Sequence, residues 1–426
     1  MKTNLLVCCL VFAVCQGVRA EEPASKTDTW PSLRGSDGLG RAQGTLPNSW
    51  SDSDYAWRFA LGSRDVGSPV IADNRVMLLA FDSKASALTL HAIDLVGGTS
   101  LWKKSYPIGQ YHLHARNSYA ASTPTIAQEH VYISYADDNH TWLRCLTLEG
   151  EEVWSRDFGP WQSDHGFGTS PAVIDGMVVL YDSQQAEELP PGKSASHERM
   201  IAVDAATGED RWVTPLKATR TCYGMSRVYR SRDGKSQIIN AGTGNGVFGL
   251  DAKTGKLLWE LPVFDKRVVS TPMVIGDRVI AACGSGGGGN SIVAVKIPGS
   301  EGEVPELLYR VERAAPYVPT AAVDGDCLMM VSDNGIASRV KIADGDVVWS
   351  ERLGGNYGSS PIVIGNKMLA ISLDGTASIL ECSDAFKKLG EVSLGGSVSA
   401  SPAYASGRLL LRIDTELRCL PLNRSL

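Results

Sequence analysis

Short apolar runs alternate with turn residues along most of the chain, and the same order of runs and turns recurs. The stretch from Ser270 to Ile297, STPMVIGDRVIAACGSGGGGNSIVAVKI, has an apolar run, a turn at Ile275 to Asp277, a second run, a glycine-rich turn and a third run. In several copies an Asp-x-x-Thr-Gly turn and a fourth run with a tryptophan follow. Runs of this length between turn residues are typical of β-strands. The pattern therefore predicts a repeated unit of four short antiparallel strands.

The fourth run and the turn before it carry the clearest repeat. The phrases GLDAKTGKLLWEL (249–261), AVDAATGEDRWVT (202–214) and AIDLVGGTSLWKK (92–104) each place an Asp eight positions before a Trp. Tyr309 stands in for the tryptophan in one further copy, and Val392 in another. Self-similarity at a regular period is the signature of a repeat architecture.

A second marker, Ser or Thr followed by Pro, precedes each unit, and neighbouring prolines are about 41 to 55 residues apart. The marker pairs are Ser68–Pro69, Thr123–Pro124, Ser170–Pro171, Thr271–Pro272, Ser360–Pro361 and Ser401–Pro402, with Val318–Pro319 as a weaker copy. The double gap between Pro171 and Pro272 predicts one copy without the proline, near YGMSRVYRS. Seven units and an incomplete eighth follow from this count.

These units predict an all-β fold, an eight-bladed β-propeller of four-stranded antiparallel blades, over residues 55–426. The last unit ends after its third strand, and DYAWRFAL, which contains Trp57, supplies the missing fourth strand from the other end of the chain. This pairing closes the ring and removes an edge strand that would otherwise be open to aggregation. Seven blades are the alternative. Residues 21–54 are predicted to be an N-terminal extension.

The repeated tryptophans are predicted to be packing residues. A large flat ring at a fixed point of each fourth strand can fill the gap between adjacent sheets, where it buries roughly 150 to 250 Å². The residues in question are Trp57, Trp102, Trp154, Trp212, Trp259 and Trp349.

The first twenty residues have the features of a secretory signal peptide, with one Lys, an apolar run from Leu5 to Val14 and a small residue at Ala20. We expect cleavage before Glu21 and a periplasmic or secreted protein. A lipid-modified Cys15 is the alternative. No later segment is long and apolar enough to cross a membrane as a helix.

Charge and cysteine usage narrow the picture further. A net charge of −6 gives no electrostatic reason to expect nucleic acid as a partner. The cysteines after the signal stand singly, without CxxC spacing. Cys145 and Cys419 fall where other copies have Ala92, Ala202 or Gly249, so these thiols are predicted to be small buried hydrophobic side chains.

Irregular polar residues concentrate in the connections between blades and in the turns between second and third strands, which share one face of the predicted ring, called here the loop face. Propellers commonly bind ligands in such loops and in the central channel, so any site is expected there. Arg227, Arg267 and Arg313, from successive connections, would hold a carboxylate-bearing ligand. The alternative is that these arginines pair with nearby carboxylates of the protein itself. The candidate binding residues are His112, His114, Arg116, Asn117, Tyr119, Asp164, His165, Arg227, Arg267, Arg313, Tyr317, Asn356 and Tyr357.

The histidines among these candidates raise the question of a metal. In an extended HLH sequence, His112 and His114 project on the same side, and with His165 they form a candidate zinc or copper site. The alternative is that they hydrogen-bond to loop backbone and line a wet channel. No Ser-His-Asp triad or nucleophile elbow is recognisable.

The repeat phrases carry a family resemblance. AVDAATGEDRW and GLDAKTGKLLWEL, which alternate with STPMVIGDRVI and SSPIVIGNKML, resemble the pyrroloquinoline-quinone (PQQ) repeats of quinoprotein-type eight-bladed propellers. The N-terminal WPSLRGSDGLG, followed by LPNSW and YAWRFAL, is similar to exported PQQ-like propeller proteins. The resemblance covers the mature chain almost from end to end.

The resemblance implies two functional classes. The family contains quinoprotein dehydrogenases, which carry two adjacent cysteines against the quinone, a calcium ion and a catalytic Asp, and non-catalytic scaffolds of the BamB type. Adjacent cysteines occur here only at Cys8 and Cys9, inside the predicted signal. We therefore expect a non-catalytic scaffold that binds a protein or small ligand without a cofactor. A divergent PQQ-dependent oxidoreductase with calcium is the alternative.

Overall fold

The computed structural model describes residues 29–189, 192–231, 233–300 and 302–422, which form strands, turns and one short 3-10 helix, Asp52–Asp54. No helix within these ranges is long and apolar enough to span a membrane. The predicted signal peptide lies outside the described residues. In chain order the strands are β1 (Arg41–Ala42), β2 (Trp57–Ala60), β3 (Val70–Ala72), β4 (Arg75–Asp82), β5 (Ala87–Asp94), β6 (Ser100–Pro107), β7 (Thr125–Ala127), β8 (His130–Ala136), β9 (Thr141–Thr147), β10 (Glu152–Asp157), β11 (Ala172–Ile174), β12 (Met177–Ser183), β13 (Glu198–Asp204), β14 (Asp210–Leu216), β15 (Arg227–Arg230), β16 (Ser236–Gly242), β17 (Gly246–Asp251), β18 (Leu257–Leu261), β19 (Met273–Ile275), β20 (Arg278–Cys283), β21 (Ser291–Lys296), β22 (Glu306–Val311), β23 (Ala322–Asp324), β24 (Cys327–Val331), β25 (Ile336–Lys341), β26 (Val347–Arg352), β27 (Ile362–Ile364), β28 (Lys367–Ile371), β29 (Thr376–Glu381), β30 (Lys388–Ser393), β31 (Ala403–Ala405), β32 (Arg408–Ile413) and β33 (Glu416–Pro421).

The strands assemble into eight sheets, and each contains one blade of four antiparallel strands. Blades 1 to 7 take their strands in chain order, from β3–β6 in blade 1 to β27–β30 in blade 7. The first strands of neighbouring blades contact each other, and β3 contacts both β7 and β31, so the blades form a closed ring. The predicted eight-bladed propeller is confirmed.

Blade 8 joins the two ends of the chain. Its strands lie in the order β2-β33-β32-β31, and β2 pairs with β33, where Trp57 lies opposite Cys419 and Ala60 opposite Glu416. The N-terminal strand therefore closes the ring, as the sequence predicts, and leaves no unpaired fourth position in this blade.

The Ser or Thr of the Ser/Thr–Pro marker takes part in a ring of hydrogen bonds between neighbouring blades around the channel. The backbone N–H of Ser68 in blade 1 donates to Oγ1 of Thr123 in blade 2 at 3.1 Å, and the N–H of Ser401 in blade 8 donates back to Oγ of Ser68 at 3.0 Å. The same link joins Thr123 to Ser170, Met225 to Thr271, Thr271 to Thr320, Thr320 to Ser360, and Ser360 to Ser401. A hydroxyl at this position thus ties one blade to the preceding one.

Two positions in this ring depart from the sequence pattern. In blade 6 the ring hydroxyl belongs to Thr320, with Ala321 in place of the proline, so the predicted copy at Val318–Pro319 is two residues too early. In blade 4 the position is Met225, which donates its N–H to Thr271 but has no hydroxyl to offer Ser170.

The tryptophans tie the outer parts of neighbouring blades together. Trp57 donates its indole N–H to the carbonyl of Leu95 in the next blade at 3.0 Å, and its ring lies beneath Gly98 of the same turn. A Cβ on Gly98 would lie 2.3 Å from this ring, and its φ of +69° also favours glycine. Corresponding carbonyls accept from Trp102, Trp154, Trp212, Trp349 and the Tyr309 hydroxyl. The repeated aromatic residue is a packing residue, as predicted.

Small residues lie opposite these rings on the third strand. Ala92 faces Trp102, and Cys145 faces Trp154. At Gly249 a Cβ would lie 2.4 Å from Nε1 of Trp259, so a larger residue cannot fit without movement. Cys145 and Cys419 are completely buried free thiols, which confirms their prediction as small hydrophobic side chains.

The described part of the N-terminal extension crosses the central channel. Residues 29–46, called here the channel segment, bond to first strands that lie three blades apart around the ring. Trp30 exchanges two hydrogen bonds with Ile71 in blade 1, and the carbonyl of Leu39 accepts from Val323 in blade 6. Strand β1 then pairs in parallel with β27 of blade 7. Gly365, in the turn after β27, donates to the carbonyl of Ala42, so the segment lies toward the face opposite the loop face.

Candidate ligand-binding site at the loop face

Five of the predicted site residues meet over the loop-face end of the channel. They are His114, Asp164, His165, Arg267 and Tyr317, called here the mouth cluster. They belong to the connections that lead into blades 2, 3, 5 and 6. Because connections from non-adjacent blades reach each other only across the centre of a ring, this contact places the cluster at the channel mouth.

His165 is the centre of the cluster. Its ring stacks on that of His114, with centroids 4.8 Å apart and planes 12° from parallel, and its Nε2 lies 3.0 Å from Nη1 of Arg267. Burial, followed by the charges of Arg267 and His114, lowers the pKa of His165 to about 4. The imidazole is therefore neutral at pH 7.

The proton of His165 can be assigned from its neighbour. A guanidinium has only donors, so Nε2 of His165 accepts from Arg267 and the ring proton resides on Nδ1. This buried Nδ1 has no hydrogen-bond partner among the described residues.

Arg267 is fixed by neighbours from several blades. Its Nε donates to the carbonyl of Thr221 in the connection before blade 4, at 3.0 Å, and its backbone forms a β-bridge with Gly284. Tyr317 lies near the guanidinium; burial raises the pKa of Tyr317 and outweighs the positive charge of Arg267, which lowers this pKa. Asp333 holds the backbone of Tyr317 by accepting its N–H at 2.6 Å. The arginine is therefore held in place before any ligand arrives.

Amide side chains hold the loops that carry the histidines. Asn117 donates to the carbonyls of His165 at 2.6 Å and Phe167 at 3.3 Å. Gln185, from the long connection between β12 and β13, donates to Oδ2 of Asp164 at 3.2 Å and accepts from its backbone N–H at 2.9 Å. Gln185 has no counterpart in the other repeats, so no pattern in the sequence indicates that it belongs to the site.

The remaining candidates divide into exposed and structural residues. His112, Arg116, Arg313 and Asn356 are exposed around the mouth cluster. Tyr119 serves its own loop: its hydroxyl donates to the carbonyl of Tyr111 at 2.7 Å.

Two candidates do not lie at the loop-face site. Arg227 begins β15, is buried, and donates to the carbonyl of Leu33 in the channel segment. Tyr357 is 2% exposed and packs with Trp349 and Val331 between blades 6 and 7, where burial raises its pKa to about 12. The sequence predicts that both residues lie in connections, whereas Arg227 begins a strand, and it does not reveal the direction in which either side chain points.

The histidines do not form the predicted metal site. Within the described ranges, no group of three or more His, Cys, Asp or Glu side chains is arranged to hold a metal ion. His114 and His165 present ring faces to each other, and Nε2 of His165 is already bonded to Arg267.

A buried carboxyl beside the site also escaped the sequence analysis. Glu198 accepts from the Tyr181 hydroxyl at 2.5 Å and from Oγ of Ser183 at 2.8 Å, and Ser183 in turn accepts the backbone N–H of Cys222. Burial raises the pKa of Glu198 to about 7. This network joins the loop-face ends of blades 3 and 4.

Comparison with known proteins identifies the family. Residues 86–351, more than half of the 426-residue chain, match the family described as outer membrane protein assembly factor BamB. The chain belongs to this family. It is a PQQ-like repeat propeller, as the repeat phrases suggested.

Individual relatives fall into several functional classes. BamB of Moranella endobia (strain PCIT) is 24% identical over 202 residues, which is 42% of this chain and 49% of the relative. Tetrathionate hydrolase of Acidithiobacillus ferrooxidans is 28% identical over 218 residues, 49% of this chain and 38% of the relative. Quinoprotein alcohol dehydrogenase PedH of Pseudomonas putida is 26% identical over 204 residues, which is 43% of this chain and 29% of the relative. The matches thus span about half or less of the length of these relatives.

Solved structures show the same fold. Quinohemoprotein alcohol dehydrogenase from Comamonas testosteroni aligns with a TM-score of 0.67 over 95% of this chain and 82% of its own, at 13% identity. BamB from Moraxella catarrhalis aligns with a TM-score of 0.59 over 87% of this chain and 99% of its own, at 14% identity. At these identities the likeness concerns the architecture and not the activity.

The loop face does not fit the quinone site that the resemblance implies. The described cysteines are free thiols at separate positions, so they provide no adjacent pair to lie against a quinone. The guanidinium of Arg267, at the centre of the mouth, already bonds to His165 and Thr221.

Proposed function

We propose that this chain is an exported, non-catalytic propeller that binds a partner through its loop face. The observation that carries the proposal is the mouth cluster, in which side chains from four connections form one pre-assembled polar surface surrounded by exposed donors. A rigid scaffold that presents polar loop residues over a channel is a common form of binding site.

The chemistry of the cluster favours binding over catalysis. A general base works best when its pKa lies near the operating pH, whereas the pKa of His165 is about 4. Arg267 donates one N–H from Nε and one from Nη1 to protein acceptors, which fixes its position and leaves its other N–H groups for recognition of a partner. His165 and Arg267 therefore act as fixed parts of a recognition surface.

A protein is the partner that the family supports. The matched family is named for an outer-membrane assembly factor, which works with other proteins. On this chain, exposed Arg116 and Arg313 border the mouth and supply cationic donors suited to carboxylates of a partner. Export rests on the predicted signal peptide, and we expect the mature chain to begin at Glu21 when its N-terminus is sequenced.

Site-directed photocrosslinking tests the proposed surface. A photoreactive residue at Arg116 or Arg313 is expected to give a discrete protein adduct in cells that export the chain. The matched control is Lys253, an exposed residue in a turn on the opposite face. Adducts at the two arginine positions and not at Lys253 support loop-face binding. Equal adducts at all three positions, or none at the arginines, contradict it.

A further inference from the structure

Two arginine side chains are buried together inside the channel. Arg34, in the channel segment, is 2% exposed, and Arg227, at the start of β15, is 9% exposed. A buried charge is costly unless it is paired with an opposite charge or fully hydrogen-bonded. The acceptors and negative charges around Arg34 and Arg227 therefore decide how these buried charges are stabilised.

The two guanidinium groups pack against the same turn of the channel segment. An ideal Cβ on Gly38 would lie 2.6 Å from Nε of Arg227, and one on Gly40 would lie 2.9 Å from Nε of Arg34. Only glycine leaves room for both groups at this distance. The two Nε atoms thus lie beside residues two positions apart in one short turn.

The described protein atoms satisfy these arginines only in part. Arg34 donates through its Nη atoms to the carbonyls of Pro361 and Ala321, and Arg227 donates through Nη2 to that of Leu33. These acceptors are neutral. The buried Nε–H of each arginine has no partner among the described residues.

The nearby negative charge is insufficient for two cations. Among the described residues, Asp37 is the one carboxylate that acts on Arg34 and Arg227, and it already binds Arg41 at 3.0 Å. The Asp37 side chain is 42% exposed and lines a cavity of about 480 Å³ at the opposite mouth of the channel, so solvent screens it. Burial and mutual repulsion lower the pKa of Arg34 to about 9.

We propose that the interior of the channel binds a small monovalent anion, a halide or a carboxylate group, between the free Nε–H groups of Arg34 and Arg227. Such a ligand pairs the two buried charges and fills both donor positions. It binds on the inner side of the channel segment, away from the mouth cluster, and it is independent of the loop-face function proposed above. The anion is an internal counterion that fastens the channel segment to blade 4.

The test measures the melting temperature of the full mature chain against anion concentration. The protein is dialysed into a bulky sulfonate buffer, and sodium bromide or sodium formate replaces the sulfonate salt at constant ionic strength. An anion that binds only the folded state raises Tm with each tenfold increase above its dissociation constant. A response to bromide alone indicates a halide site, and a response to formate alone indicates a carboxylate site. An unchanged Tm with both salts overturns the proposal.

Two variants separate this site from general salt effects. Arg227→Met removes one of the charges at similar length and is expected to abolish the response, whereas Arg313→Met, at an exposed position, keeps it. An equal response in Arg227→Met and the wild type also overturns the proposal. If Arg227→Met does not fold, wild-type crystals grown in bromide decide: an anomalous peak between the two guanidinium groups supports the site, and its absence there contradicts it.

Discussion

At the scale of single residues, burial changes the acid–base behaviour of groups that look ordinary in the sequence. Glu198 follows a polar stretch and has the appearance of a surface residue, yet it is 2% exposed and bonded to Tyr181 and Ser183. His165 looks like a metal ligand, yet Arg267 occupies one of its nitrogens. In both cases the partners that set the behaviour of the side chain are distant along the chain, so the local sequence does not reveal them.

Glu198 gives a prediction about pH. Its ordinary pKa of 4.5 rises to about 7 in the folded chain. Between these values the unfolded chain loses a proton that the folded chain keeps, so the contribution of Glu198 to stability falls as pH rises, by about 3 kcal/mol in total. Glu198→Gln is expected to remove this fall.

Urea denaturation of the wild type and of Glu198→Gln at pH 4.5 and pH 8 measures the effect. The variant gains stability relative to the wild type at pH 8. His165 and His91, whose pKa values are lowered to about 4, change stability in the opposite direction, but both proteins contain them, so they cancel. Glu209→Gln, at an exposed turn position, is the control. A constant difference between wild type and Glu198→Gln at the two pH values contradicts the assignment.

At the scale of elements, the sequence predicts the blade well because its contacts repeat. The tryptophan, the small residue opposite it and the glycine of the next blade recur at fixed spacing, and so does the hydroxyl that links first strands. The weak copy at Val318 was misplaced because Ala321 replaces the proline that marks the position elsewhere. Where one repeat loses its marker residue, the spacing alone leaves an error of about two residues.

Because a turn glycine contacts the tryptophan of the preceding blade, replacing this glycine with alanine is expected to lower the free energy of unfolding. Gly98→Ala is expected to destabilise the chain by roughly 2 to 4 kcal/mol, because the new methyl group clashes with Trp57 and φ is positive. Gly276→Ala is the matched control: its φ is +60°, but nothing lies within 4 Å of the added Cβ. Its cost, from φ strain alone, is expected to be about 1 kcal/mol. Equal losses in urea denaturation contradict the docking role of Gly98.

At the scale of the whole molecule, closure of the ring and of the channel depends on contacts between distant parts of the chain. Arg34 bonds to the carbonyl of Pro361, and Arg412 of β32 forms an ion pair of 2.6 Å with Asp65, just before blade 1. The N-terminal strand was predictable because the eighth blade lacked one. The channel segment was not, because its partners share neither a repeat nor a spacing with it.

The buried ion pair between blades 8 and 1 is expected to contribute to the free energy of unfolding by holding the ring closed. Arg412 and Asp65 are 1% and 2% exposed, so Arg412→Met leaves a buried unpaired carboxylate and is expected to cost about 3 to 5 kcal/mol. Adding Asp65→Asn recovers part of this loss. Glu149→Gln, which breaks the more exposed pair with Arg75, serves as the control and changes stability little in the same urea titration. An Arg412→Met variant as stable as the control contradicts the proposed role in closure.

We propose that this propeller acts as a binding scaffold and not as a quinoprotein enzyme. Calorimetric titration of the purified mature chain with PQQ, with and without calcium, tests it most directly. We expect no specific heat of binding under either condition, because the described cysteines supply no adjacent pair to lie against a quinone. One-to-one binding of PQQ that is lost in Arg267→Gln would contradict the account and favour the oxidoreductase alternative.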